Sequence, residues 1–102
     1  MIKGINYWAF PSDKAGNPLD PIEAMKYAKA LGYDSFEPTV DGEEGLISLS
    51  SNQTDIEKVR KAADEIGIKI YTVASGLAWG NSPTDPNPNV RRKAVENTKK
   101  TL

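Results

Sequence analysis

The chain has 102 residues, with 13 basic and 14 acidic side chains and a formal net charge of −1. That balance excludes a strongly basic nucleic-acid binder and a polybasic membrane anchor. Neither cysteine nor histidine occurs, which removes disulfides, thiolate metal sites and the commonest general base and metal ligand. The length fits one domain, residues 1–102. Met1-Ile-Lys leads straight into a strand-like run, with no basic-then-apolar leader and no long apolar span, so a soluble, cytoplasmic protein without a membrane partner is the expectation.

Ile2 to Trp8 reads as the first strand. Its two-residue period puts Gly4, Asn6 and Trp8 on one face and Lys3, Ile5 and Tyr7 on the other. Gly4 inside a strand hints at close backbone approach. Phe10-Pro11-Ser12-Asp13 and Gly16-Asn17-Pro18 are turn chemistry and make a loop. A helix follows: Asp20 is a good N-cap, Pro21 suits the first helical position and Glu23 completes a box-like pattern. Ile22, Met25, Ala28 and Leu31 recur at helical spacing, Met25 and Tyr27 are read as packing residues, and Gly32 ends the helix.

Gly32 to Pro38, Gly-Tyr-Asp-Ser-Phe-Glu-Pro, is a short strand that stops at an acid. Ser35 and Glu37 share one face and Phe36 takes the other. With Phe36 packed under helices, Glu37 stands on the opposite face, at the carboxyl end of the strand, where parallel α/β folds bind their ligands.

Thr39 to Asn52 reads as a long loop holding Asp41, Glu43 and Glu44. The spacing of these acids lacks the alternating pattern of a calcium loop, so they are read as solvated. The second helix is capped by Thr54 with Glu57 at box spacing, or by Ser51 or Asn52. Ile56, Val59, Ala63 and Ile66 form its apolar stripe, Glu57 and Lys61 are a favourable i, i+4 pair, and Gly67 is the stop.

Ile68 to Ala74 is the expected third strand, with the inward parity open between Ile70, Thr72 and Ala74 on one side and Tyr71 and Val73 on the other. Ser75 to Asn81 continues as a loop in which Gly76 and Gly80 flank Trp79, an aromatic that a turn does not require. The Pro-, Asp- and Asn-rich stretch 82–88 is irregular. Asn87 and Pro88 then start a third helix with a thin apolar face of Val90, Ala94, Thr98 and Leu102. Its Arg91, Arg92, Lys93, Lys99 and Lys100 are interrupted by Glu96 and read as a solvated face. No Gly-rich phosphate loop is present.

The order is strand-helix three times over, with long loops after the strands and short returns. The expectation is an α/β fold made of the first three βα units of a (β/α)8 TIM barrel, parallel and incomplete. Three such units leave strand edges open, so association into homo-oligomers is also expected.

Gly32-Tyr33-Asp34-Ser35-Phe36-Glu37, Ala63-Asp64-Glu65-Ile66-Gly67-Ile68 and Asp85-Pro86-Asn87-Pro88-Asn89-Val90-Arg91 together resemble the amino-terminal part of xylose isomerase-like TIM barrels. Within that superfamily the chain is most similar to sugar phosphate isomerases/epimerases of the D-tagatose/D-psicose 3-epimerase type. The resemblance implies a divalent-metal ketose 3-epimerase, often using manganese, in which paired glutamates move a proton at the carbon beside the ketone. It also implies that the metal ligands and catalytic glutamates come from later strands, so the chain alone is expected to be inactive and to carry neither. What carries over is a wall of the pocket for a small sugar: Glu37 at the end of the second strand, Trp8 on the first, and Ser75, Gly76 and Trp79 after the third. Asn6 joins them, at a place where relatives often carry an aromatic. The alternatives are a self-assembling partial-barrel module and a small sugar-binding domain that stacks Trp8 and Trp79 on a ring.

Overall fold

Local signals start and stop the two helices that make the core. A computed structural model describes residues 1–42 and 47–102; Glu43 and Glu44 of the acidic loop lie outside the described residues. Helix α1, Pro21–Ala30, begins where the Asp20 carboxylate accepts the backbone N–H groups of Ile22 and Glu23, both at 3.1 Å. Helix α2, Gln53–Ile66, is capped by Asn52, the last of the three possible caps. Asn52 and Asp55 exchange side-chain-to-backbone hydrogen bonds of 3.1 and 2.9 Å, which satisfies two donors at once.

Both helices end by one motif. Gly32 and Gly67 sit at φ +86° and +76°, a conformation that a Cβ would strain. The N–H of Tyr33 then reaches the Ala28 carbonyl, and the N–H of Ile68 reaches that of Ala63, each at 3.0 Å. Lys29 of α1 adds a 2.7 Å hydrogen bond from Nζ to the Gly67 carbonyl, placing a cation on the carbonyl end of α2.

Strands β1 (Gly4–Asn6) and β2 (Ser35–Glu37) pair in parallel, with Gly4 opposite Ser35, Ile5 opposite Phe36 and Asn6 opposite Glu37. A Cβ on Gly4 would stand 2.6 Å from the Ser35 hydroxyl, which would have to turn away to admit it. Phe36 is 1% exposed and joins Ala24, Met25 and Ala28 of α1, Val59 and Ala63 of α2, and Ile68. Tyr7 meets its ring edge-on at 6.2 Å and Phe10 lies at 6.1 Å. Burial of a side chain of this size stabilises by roughly 1.5–3 kcal/mol. Met25 packs as anticipated, but Tyr27 is 56% exposed and is not a packing residue.

The barrel expectation is corrected by the strand pairing. Strand β3 (Thr39–Val40) pairs in parallel with β4 (Ala74–Ser75), and the described strands form two separate two-stranded sheets, β1-β2 and β3-β4. With helices α3 (Leu77–Gly80) and α4 (Pro88–Thr101), the described residues form a small α/β unit of four helices, not three consecutive βα units of a (β/α)8 barrel.

The physical reasons lie in three places. Pro38 separates β2 from β3 and has no N–H for a ladder; its carbonyl still accepts from Ala74 at 3.0 Å. The expected strand Ile68–Ala74 supplies one isolated bridge, Lys69 to Ser35, before β4 begins, and residues 70–73 are irregular. Tyr7–Ala9 turns into a 3₁₀ helix, so Trp8 leaves the first strand. Two smaller corrections follow: Thr39 and Val40 are strand where a loop was anticipated, and Leu77–Gly80 is helical where the loop around Trp79 was anticipated. Among the described residues no helix is long and apolar enough to cross a membrane.

Candidate functional site

The register of β1 on β2 puts Asn6 and Glu37 side by side on the face opposite Phe36. Asn6 Nδ2 donates to Glu37 Oε2 at 2.6 Å. The other end of the same amide, Oδ1, accepts the backbone N–H of Trp8 at 2.7 Å and so caps the 3₁₀ turn. One side chain thereby fixes both the carboxylate and the point where the chain turns to present Trp8. The hydrogen bond from Asn6, and a second from the Thr72 side chain, hold the Glu37 carboxyl below its ordinary pKa, against the upward push of partial burial. Glu37 is therefore an ionised acceptor at neutral pH, and it keeps further lone-pair positions beyond those two bonds.

Next to this polar row stands an aromatic wall. The rings of Trp8 and Trp79 stack with centroids 5.3 Å apart and planes inclined by 29°. Trp8 Nε1 donates to Asp41 Oδ2 at 3.0 Å. Trp79, at the outer side of the pair on α3, is 83% exposed. Gly76 lies among these groups: a Cβ there would meet Asp41 Oδ1 at 2.8 Å, Trp8 at 3.5 Å and Trp79 at 3.6 Å. Close to the same chain turn, the Tyr7 hydroxyl donates to the Leu19 carbonyl at 2.6 Å. Burial raises the Tyr7 pKa, with the Asp20 and Asp41 carboxylates adding to it.

Of the six residues singled out in the sequence, the structure joins Asn6 to Glu37 and joins Trp8, Gly76 and Trp79 to one another, with Asn6 linking the two groups through Trp8. Ser75 is exposed at the end of β4, and its hydroxyl lies 3.4 Å from the Leu77 N–H. It borders a cavity of about 150 Å³ with Ala94 and Asn97 of α4. Two members of the site were not anticipated. Asp41 was read as a solvated loop acid, and nothing in its neighbourhood of acids and glycines marks it as the partner of an indole. Thr72 was one of two open parities. Among the described residues, no three His, Cys, Asp or Glu side chains converge as ligands for a metal ion.

No family model matches the chain, and no curated protein matches it.

Proposed function

We propose that this surface binds a sugar, and that the chain contributes a substrate-contacting part of a divalent-metal-dependent ketose isomerase/3-epimerase. The observation that carries the reading is the Asn6–Glu37 hydrogen bond beside a stacked pair of exposed tryptophans. A sugar ring has hydroxyls at its edge and apolar C–H groups on its faces. An ionised carboxylate with unused lone pairs accepts hydroxyl protons, and a flat aromatic body covers the C–H face. The resemblance set out above adds the ketose class and the metal-assisted parent reaction.

The described residues do not fit a metal centre of their own, and this chain's share is to bind and orient the sugar. Glu37 is not assigned as the base that removes the proton. Its lowered pKa makes it a weak one, because proton transfer at neutral pH is best served by a carboxyl raised toward the working pH. The test is intrinsic tryptophan fluorescence titrated with a panel of ketohexoses and their phosphates, followed by an interconversion assay with added manganese. A saturable response with no turnover is expected. Absence of any saturable response contradicts the binding reading, and manganese-dependent turnover contradicts the division of labour.

A further inference from the structure

Trp8 and Trp79 come from segments far apart in the chain, and an exposed pair of large side chains loses substantial rotamer freedom when it is held in one stack. Trp8 is 44% exposed and rides on a three-residue 3₁₀ turn, so packing alone does not fix its ring. Two contacts do: the indole N–H is taken by Asp41, and one ring face is covered by Trp79. Asp41 is itself placed by the pairing of Val40 with Ser75, which sets the residue after β3 over the residue after β4. That second residue is Gly76, and its missing side chain leaves the room that Asp41 Oδ1 occupies.

We propose that Asp41 is the positioning residue of the aromatic wall: it holds Trp8 in the orientation on which Trp79 stacks, from the room that Gly76 leaves open. For ligand binding this rests on the sugar-binding reading above; for the geometry of the two indoles it does not. A carboxylate accepting an N–H makes a stronger hydrogen bond than a neutral acceptor. A wall ordered before the sugar arrives spares the ordering of two side chains on binding.

Two stacked indoles give an exciton couplet in the far-ultraviolet circular dichroism spectrum, and Trp79→Phe identifies it. The couplet is expected to be lost in Asp41→Ala and in Gly76→Ala, and to be largely retained in Asp41→Asn, which keeps an acceptor oxygen. The thermal melt of each variant is followed at a helix wavelength to confirm folding. If Asp41→Ala fails to fold, Gly76→Ala decides the matter, because it displaces the same carboxylate from the opposite side. Ketohexose affinity in Asp41→Ala is expected to fall by about tenfold, equivalent to about 1.4 kcal/mol. A couplet unchanged in folded Asp41→Ala, or absent from the wild-type protein, overturns the proposal. If the wild-type protein shows the couplet but no ketose response, the sugar reading fails while the role of Asp41 is still decided by the spectra.

Discussion

Helices α2 and α4 are each 14 residues long and each opens on an asparagine cap, yet they are held in different ways. In α2 the Asn52–Asp55 box closes the first turn and Gly67 closes the last. Its Val59 and Ala63 face the same cluster as Phe36 and Met25. In α4 the Asn87 cap makes a single 2.9 Å bond to the Asn89 N–H. That helix buries Ala94 and Asn97, and among the described residues the Asn97 Oδ1 finds no hydrogen-bond partner although the residue is 4% exposed. The difference teaches that cap residues decide whether a helix forms, while the width of its apolar stripe decides how firmly it is held. The candidate site spans the boundary between the two regions. Asn6 and Glu37 are fixed by the firm half, whereas Gly76 and Trp79 belong to the segment that leads into α4.

The comparison is broken most severely from the firm side. Phe36→Ala removes the ring that α1, Tyr7 and Phe10 pack against, and should lower stability by about 3–5 kcal/mol in urea unfolding. A midpoint close to that of the parent would mean that the core lies elsewhere. From the other side, Asn97→Leu replaces an unpartnered buried carbonyl with a hydrocarbon of similar size. It should raise stability by about 1 kcal/mol, since an unsatisfied buried group carries its desolvation penalty without return. A loss of stability would show that the Asn97 amide has a structural role.

The smallest expected effect is a pH dependence at Glu37. A carboxyl whose folded pKa lies below its unfolded value binds fewer protons when folded. Its stabilisation is therefore complete above the ordinary value of 4.5 and is lost as pH falls through the lower folded value. Glu37→Gln should flatten the acid limb of the stability profile in that window and leave the neutral limb unchanged in shape. An acid limb identical to that of the parent would remove Glu37 from the account.

The firm half was the more legible in the sequence. Asp20, Pro21, Gly32 and Gly67 acted through local backbone chemistry, and the parity of Ser35, Phe36 and Glu37 required only an extended chain with one buried face. The barrel was not there to be read. Its third strand rested on β-branched and aromatic content between Ile68 and Ala74, whereas pairing depends on a ladder that Pro38 and the irregular stretch 70–73 do not continue. The α4 face was misjudged by one position: Asn97 is buried, while Thr98 and Leu102 are exposed. At the site, the face that Glu37 takes followed from strand parity, whereas Asn6 entered through the resemblance and its pairing with Glu37 is given by the register of β1 on β2. The Asp41–Trp8 bond spans 33 residues of chain, and no local pattern encodes it.

The central claim is that the polar row and the aromatic wall form one sugar site. The most direct measurement is a ¹H–¹⁵N correlation spectrum recorded through a ketohexose titration. The side-chain amide of Asn6, the indole N–H groups of Trp8 and Trp79, and the backbone N–H of Gly76 should shift together and saturate on one binding curve. Shifts confined to α4, or no shift at any of these four groups as the sugar is raised to molar concentration, would contradict it.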